Sequence, residues 1–258
     1  MSKLPIAAQL YTVRDLTKTD FAGTLAQVRR IGYRAVELAG HGNLTSAADV
    51  RRVLNDLDLE IAGAHVGIDA LEKDLTKALD EQEELGNQNV VCPYLPDNRR
   101  KDADGWRQVA QSLNTIAQEC RRRGFNFAYH NHSFEFHPVK SAGETTTGMD
   151  ILWQNTDKNL VRAELDVYWI HHANLDPVKY VTTLGQRVLL LHLKDMAKDE
   201  ERSFAPVGAG ILNFKQIIVA AEDVGAQWGI VEQDSTYQVP PLDALRTSYE
   251  NLRAIGAV

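Results

Sequence analysis

Cysteine is nearly missing: Cys92 and Cys120 are the only two in 258 residues, and they form no CxxC pair. That excludes a disulfide framework and a thiolate metal ribbon, and it predicts a reducing, cytoplasmic home. No apolar run approaches the roughly 20 residues of a membrane span, and no basic-then-apolar leader opens the chain. Basic residues cluster only locally, at Arg99-Arg100-Lys101 and Arg121-Arg122-Arg123, within a formal charge of −7. Without a basic stripe, nucleic acid is disfavoured as a partner. No GxGxxG opens the first strand-to-helix crossover, which argues against a doubly wound dinucleotide sheet. No Pro/Ser/Gly linker divides the chain, so residues 1–258 read as one domain. What is present is an ordinary globular composition, 44% hydrophobic and 24% charged, with length enough for one large core.

One unit recurs: an amphipathic helix, a glycine, a few residues, then a short β-rich run. Ile31-Gly32 precedes residues 35–38, Leu85-Gly86 precedes 90–94, and Arg123-Gly124 precedes the run from Phe127. Leu184-Gly185 precedes 188–192, and Val224-Gly225 precedes 228–232. Glycine after a helix supplies the left-handed residue that turns the chain back. The two longer intervals each hold one more run, residues 59–65 and 161–166, and residues 6–11 come first. Eight strands, each followed by helix-compatible sequence, predict an α/β single-domain (β/α)8 TIM barrel. Phe21, Leu25, Val28 and Ile31 recur at helical spacing as core contacts. Asn213 reads as the N-cap of a helix starting at Phe214, and the last helix follows Pro240-Pro241.

In such a barrel the site lies at the C-terminal ends of the strands. The last polar residues of the eight runs are Gln9 and Tyr11, Glu37, His65, Tyr94, His130 and His132, Asp166, His192 and Lys194, and Glu232, with Glu164 one layer below Asp166. Strand alternation puts His130 and His132 on one face. So many titratable groups at one edge do not arise from core packing, because unpaired buried charge is too costly. A carboxylate, an imidazole and a second carboxylate on strands six, seven and eight suit one divalent cation, Mn, Co, Zn or Mg. The same residues allow plainer roles: Asp166 capping the turn after it, Glu232 pairing with Lys194, His192 as a buried structural group.

The segments VLLLHLKD (188–195), LDVYW (165–169), YHNH (129–132), VGAG (207–210) and IVEQD (230–234) resemble the sugar phosphate isomerase/epimerase family of xylose isomerase-like TIM barrels. The resemblance covers essentially the whole chain. It implies a metal held by groups from strands five to eight, onto which His130, Asp166, His192 and Glu232 map. Two departures stand out. His130 occupies the place of a strand-five glutamate that ketose 3-epimerases use, and Trp169 stands where they carry a histidine after the strand-six aspartate. The implied chemistry is metal-assisted proton transfer beside a sugar carbonyl, with a small-molecule sugar as substrate. Glu232 is the expected base, with His65 or His130 protonating the other face. Gln9, Glu37, His132 and Lys194 are expected to bind the substrate, and Tyr11 and Trp169 to wall it. The alternative is a lyase or hydratase acting on a keto-sugar or keto-inositol. Gly208-Ala209-Gly210 offers a weak phosphate cradle with no P-loop Lys or Ser, which favours a non-phosphorylated substrate. A homo-oligomer is compatible with the family, but no interface is legible in one sequence.

Overall fold

Eight short runs pair in parallel: β1 (Ile6–Gln9), β2 (Ala35–Leu38), β3 (Glu60–His65), β4 (Asn89–Cys92), β5 (Asn126–His130), β6 (Val161–Asp166), β7 (Val188–Leu193) and β8 (Trp228–Val231). The computed structural model describes residues 3–141, 143–237 and 239–258. In it each strand bonds its two neighbours, and β8 returns to β1 with Ile6 opposite Gly229 and Ala7 opposite Ile230. The sheet is therefore a closed barrel without a free edge.

A helix follows each strand: α1 (Phe21–Ile31), α2 (Ala47–Asp56), α3 (Leu75–Leu85), α4 (Ala103–Arg122), α5 (Gly148–Asn155), α6 (Pro177–Leu184), α7 (Phe214–Val224) and α8 (Pro241–Ala254). Asp20, Ser46, Asp74, Asp102 and Asn213 each cap a helix by accepting from an amide three residues on. Gly86 and Gly225 end α3 and α7 with φ of 78° and 77°, a conformation that disfavours any other residue. The apolar faces of these helices pack on the outside of the barrel, where Phe21, Leu25, Val28, Leu113 and Ile217 are buried. No helix of the described residues is long and apolar enough to cross a membrane.

A separate, smaller apolar cluster comprises Ala7, Ala35, Ala62, Val91, Ala128, Leu189, Leu190 and Ile230. Two residues further along five of those strands stand Gln9, Glu37, His130, His192 and Glu232. Strand alternation returns them to the same face, so the polar layer rests on a floor of small apolar residues. The pairing steps by one residue at Val36/Glu37 against β3 and at Ala163/Glu164 against β7. The extra residues opposite those steps are Ala62 and Leu189, and bulges of this kind re-aim the side chains beyond them.

Two strand ends differ from the sequence reading. β1 stops at Gln9, and Leu10–Val13 coils into a 3-10 turn because Gln9 Oε1 accepts from the Tyr11 amide at 3.0 Å. β5 stops at His130 rather than running to His132. Asn131 leaves the ladder there, its Oδ1 accepting from the Asp166 amide at 3.0 Å. Two hairpins were not expected: Pro138–Ser141 with Glu144–Thr147, and Asp195–Met196 with Phe204–Ala205.

Candidate active site

Two carboxylates lie at the centre of the barrel mouth, Glu37 from β2 and Glu164 from β6, both fully buried. Three imidazoles converge on them. His65 Nε2 stands 2.9 Å from Glu164 Oε2 and 3.2 Å from Glu37 Oε2. His130 Nδ1 is 2.9 Å from Glu164 Oε2, and His192 Nε2 is 3.2 Å from that atom and 2.7 Å from Glu37 Oε2. Gln9 Nε2 donates to Glu37 Oε2 at 2.6 Å. Gly63 leaves the space this requires, since a Cβ there would sit 2.6 Å from Glu37 Oε1. Glu37 Oε1 and Glu164 Oε1 are buried without a hydrogen-bond partner.

Lys194, 1% exposed, is clasped by three carboxylates nearer the rim. Its Nζ lies 3.0 Å from Asp166 Oδ2, 2.7 Å from Glu232 Oε2 and 2.8 Å from Asp234 Oδ1. The Asp166 contact is an ion pair without hydrogen-bond alignment, so Oδ2 is close to the ammonium and yet lacks a hydrogen bond. Asp166 Oδ1 accepts from the Trp169 amide at 3.1 Å, and Glu232 Oε2 lies 2.9 Å from His192 Nδ1. Two of the three plainer roles allowed by the sequence are therefore present: Asp166 caps the turn after β6, and Glu232 pairs with Lys194.

These contacts set the charge states. Burial pushes His65 down, but the Glu37 and Glu164 carboxylates outweigh it and raise the imidazole to about 10. Glu164 is raised to about 7, by burial first and then by repulsion from Glu37. Glu232 is held well below the usual carboxylate range, because Lys194 and His192 overcome its burial. His130 is pushed far down, by burial and then by the charge of His192, and burial with Lys194 brings His132 to about 3. Both of these are neutral imidazoles at neutral pH.

A cavity of about 270 Å³ opens above the group, with Tyr11 and Tyr94 among its walls and His65, His130, His132, Lys194 and Glu232 among its polar lining. Trp169 is absent from that lining; it packs against His132 at 5.6 Å between ring centroids. Gln9 and Glu37, expected to meet a substrate, are not among that lining; Glu37 Oε2 pairs with His65 and His192, and Gln9 holds Glu37. The Gly208–Gly210 loop is not an open phosphate cradle: the amides of Gly208, Gly210 and Leu212 donate to the Asp195 carboxylate at 2.9, 2.9 and 3.1 Å.

Of the four expected ligands, Asp166, His192 and Glu232 form one set whose donor atoms lie within 4.8 Å of one another. His130 joins a second set with His65, Glu164 and His192, inside the same limit. Three imidazole nitrogens and a carboxylate oxygen, beside an unpartnered Glu164 oxygen, fit a first-row divalent ion. The sequence reading placed Glu164 correctly in depth but gave it no role, and it passed over Asp234 and Glu135. Asp234 stands two residues beyond Glu232, the spacing that returns a chain in extended form to the same face. Glu135 is fully buried, where it accepts from Tyr129 Oη at 2.6 Å and the His132 amide at 2.8 Å and so fixes the exit from β5.

A family model described as xylose isomerase-like TIM barrel matches residues 25–255. An inosose dehydratase of Geobacillus kaustophilus is 25% identical over 199 residues, covering 68% of this chain and 62% of that protein, less than two thirds of its length. An inosose dehydratase of Clostridium botulinum is 22% identical over 258 residues, covering 85% and 84%. The crystal structure of a sugar phosphate isomerase/epimerase from Parabacteroides distasonis superposes with a TM-score of 0.84 at 24% identity, over 98% of this chain and 95% of the other.

Proposed function

The chain belongs to the xylose isomerase-like TIM barrel family, and on that footing we propose that it moves a proton on the carbon beside the carbonyl of a ketose-like sugar or sugar derivative, isomerising or epimerising it. The observation that carries this reading is the sharing of one small cavity by an ionised carboxylate, a buried ammonium and imidazoles. Its volume of about 270 Å³ is near the lower end of ligand pockets, roughly 300–1,000 Å³, which suits a single sugar ring.

Glu232 takes the proton from carbon. The contacts that keep it ionised also make it a weak base, so the step depends on a substrate acidified by its surroundings. Lys194, 2.7 Å from Glu232, supplies positive charge to the enediolate oxygen and anchors a neighbouring hydroxyl. A proton then returns to the substrate from the protonated Glu232 or from His65. His192, common to both ligand sets, would hold a divalent cation with His130 and carboxylates of Glu164, Asp166 or Glu232; when bound, it would polarise the carbonyl. The internal use of the Gly208–Gly210 amides by Asp195 supports a non-phosphorylated substrate.

Dehydration is the second reading, favoured by the relatives that are inosose dehydratases. Glu232 would again take the proton from carbon, and a hydroxyl on the next carbon would leave as water with a proton from His65 or from the protonated Glu232. Incubation of metal-loaded protein with keto-sugars and keto-inositols in D2O separates the readings. Deuterium on a carbon of an isomeric product, lost in Glu232→Gln, supports the first; a product lighter by one water supports the second. No exchange and no water loss across the panel would refute both.

A further inference from the structure

The site contains two sets of potential metal ligands, an upper one of Asp166, His192 and Glu232 and a lower one of His65, His130, Glu164 and His192, and the Lys194 ammonium stands within the upper. We propose that the divalent ion binds in the lower position, on His65, His130, Glu164 and His192, while Lys194 stays between Asp166 and Glu232 as a fixed cation above it. This deepens the proposed function, from which it takes only the premise that the site binds a metal.

The upper set cannot hold a divalent ion while Lys194 is in place. Its ammonium already stands within 3.0 Å of both Asp166 and Glu232, and a second cation between them would meet it at short range. Asp234, at 2.8 Å, adds a third carboxylate to the clasp.

The lower set has what the upper lacks. Nitrogens from β3, β5 and β7 reach one carboxylate oxygen of β6 at 2.9, 2.9 and 3.2 Å. Atoms bound to one tetrahedral ion at about 2.0–2.2 Å stand about 3.3–3.5 Å apart, so these three nitrogen–oxygen distances need lengthen by only a few tenths of an ångström. Glu164 Oε1, buried without a partner, gives the carboxylate a second donor atom. The supports are also built: the other nitrogen of His192 is bonded to Glu232 at 2.9 Å, as ring nitrogens opposite a metal commonly are. Glu37 is held by Gln9 at 2.6 Å, ready to accept from a displaced imidazole or to approach the ion. Three imidazoles and one carboxylate favour a zinc-, cobalt- or iron-like ion over magnesium. In this placement Glu232 binds no metal and remains the base, and His65 becomes a ligand rather than an acid.

The test is Co(II) titration of the chelator-stripped full chain, followed by visible absorption and by metal per chain after gel filtration. The expected result is one ion per chain with the intense bands of a low-coordinate, imidazole-rich site. Glu164→Gln and His65→Gln should each weaken Co(II) by at least about a hundredfold, beyond the roughly 10–100-fold that losing a supporting residue costs. Asp166→Asn and Lys194→Met should leave the affinity within about tenfold. Circular dichroism checks the fold of each variant, and His65→Gln, at the cavity wall, carries the test if Glu164→Gln does not fold. Loss of Co(II) in Asp166→Asn with retention in Glu164→Gln or His65→Gln would overturn the placement, as would tighter binding in Lys194→Met or no bound ion in the parent chain. Deuterium exchange is a separate readout: an ion bound as described with no exchange into any keto-sugar would remove the proton-transfer reading and leave this one intact.

Discussion

Lys194→Met tests the charge balance of the rim. Methionine keeps an apolar stem of similar length and removes only the ammonium. Asp166 and Glu232, 0% and 4% exposed, then lose their nearest cation, whereas Asp234, at 27% side-chain exposure, can turn to water. Breaking a buried ion pair from one side costs about 3–5 kcal/mol. Asp166 keeps the Trp169 amide and Glu232 keeps His192, so the expected cost is near the lower end, about 3 kcal/mol. Urea unfolding of metal-stripped protein at neutral pH measures it. The sign with pH follows from Glu232, whose folded carboxyl is held well below its ordinary value of 4.5. Its stabilisation is present above pH 4.5 and is lost as pH falls towards the folded value, so the gap between parent and variant narrows in acid. Adding Glu232→Gln removes one stranded charge, and the double variant should be more stable than the sum of the single losses by about 1–3 kcal/mol. A cost below about 1 kcal/mol, or strict additivity, would refute the seating of Lys194 among these carboxylates.

Three further outcomes are expected. Burial raises Glu135 to about 7 despite its bonds from Tyr129 and the His132 amide, so the protonated form favours folding. That contribution, about 3 kcal/mol, is complete below pH 4.5 and lost as pH rises through 7; Glu135→Gln should flatten this part of the stability–pH curve, and an unchanged slope would count against it. Gly210→Ala would drive a Cβ into the Met196 carbonyl and the Asp195 carboxylate, costing about 1–3 kcal/mol; an unshifted thermal midpoint would show that the loop is not tied to Asp195. Arg187, 9% exposed, donates to the carbonyls of Val161 and Trp153 at 3.0 Å each and lies 4.1 Å from the Trp153 ring centroid. Arg187→Met should therefore lower stability by about 2–3 kcal/mol in urea, and a neutral effect would refute this bracing role.

The barrel was legible because its unit is local and repeated. A helix, a glycine with positive φ and an apolar run can each be recognised within a few residues, and Gly86, Gly225 and Asn213 do what their residue types suggest. Asp166, His192 and Glu232 were legible for the same reason, each standing at or near the end of an apolar run. Depth and reach were not. Whether Glu37 faces a substrate or two histidines depends on its height in the barrel, which alternation does not give. That Lys194 reaches sideways to Asp166 as well as Glu232 depends on β7 lying between β6 and β8. A glycine-rich loop shows that amides are free to gather around an anion, but not that the anion is Asp195. His132 was expected on the strand, and the pull of Asn131 towards the Asp166 amide ends the strand before it.

The two bulges described above have a mechanical meaning. Ala62 precedes His65 on β3, and Leu189 precedes His192 on β7. Strands three and seven stand on opposite walls of an eight-membered ring, yet the two imidazoles meet as near-parallel plates, 5.5 Å apart with 12° between them. They form a crossbar over the mouth of a filled barrel. Deleting either extra residue would restore regular pairing and remove the local bend that aims its histidine across the mouth, although neither deletion touches a polar group. A tie of this kind makes each half of the ring hold the other in shape. Anything that clamps the two plates would be felt as stiffness around the whole circumference.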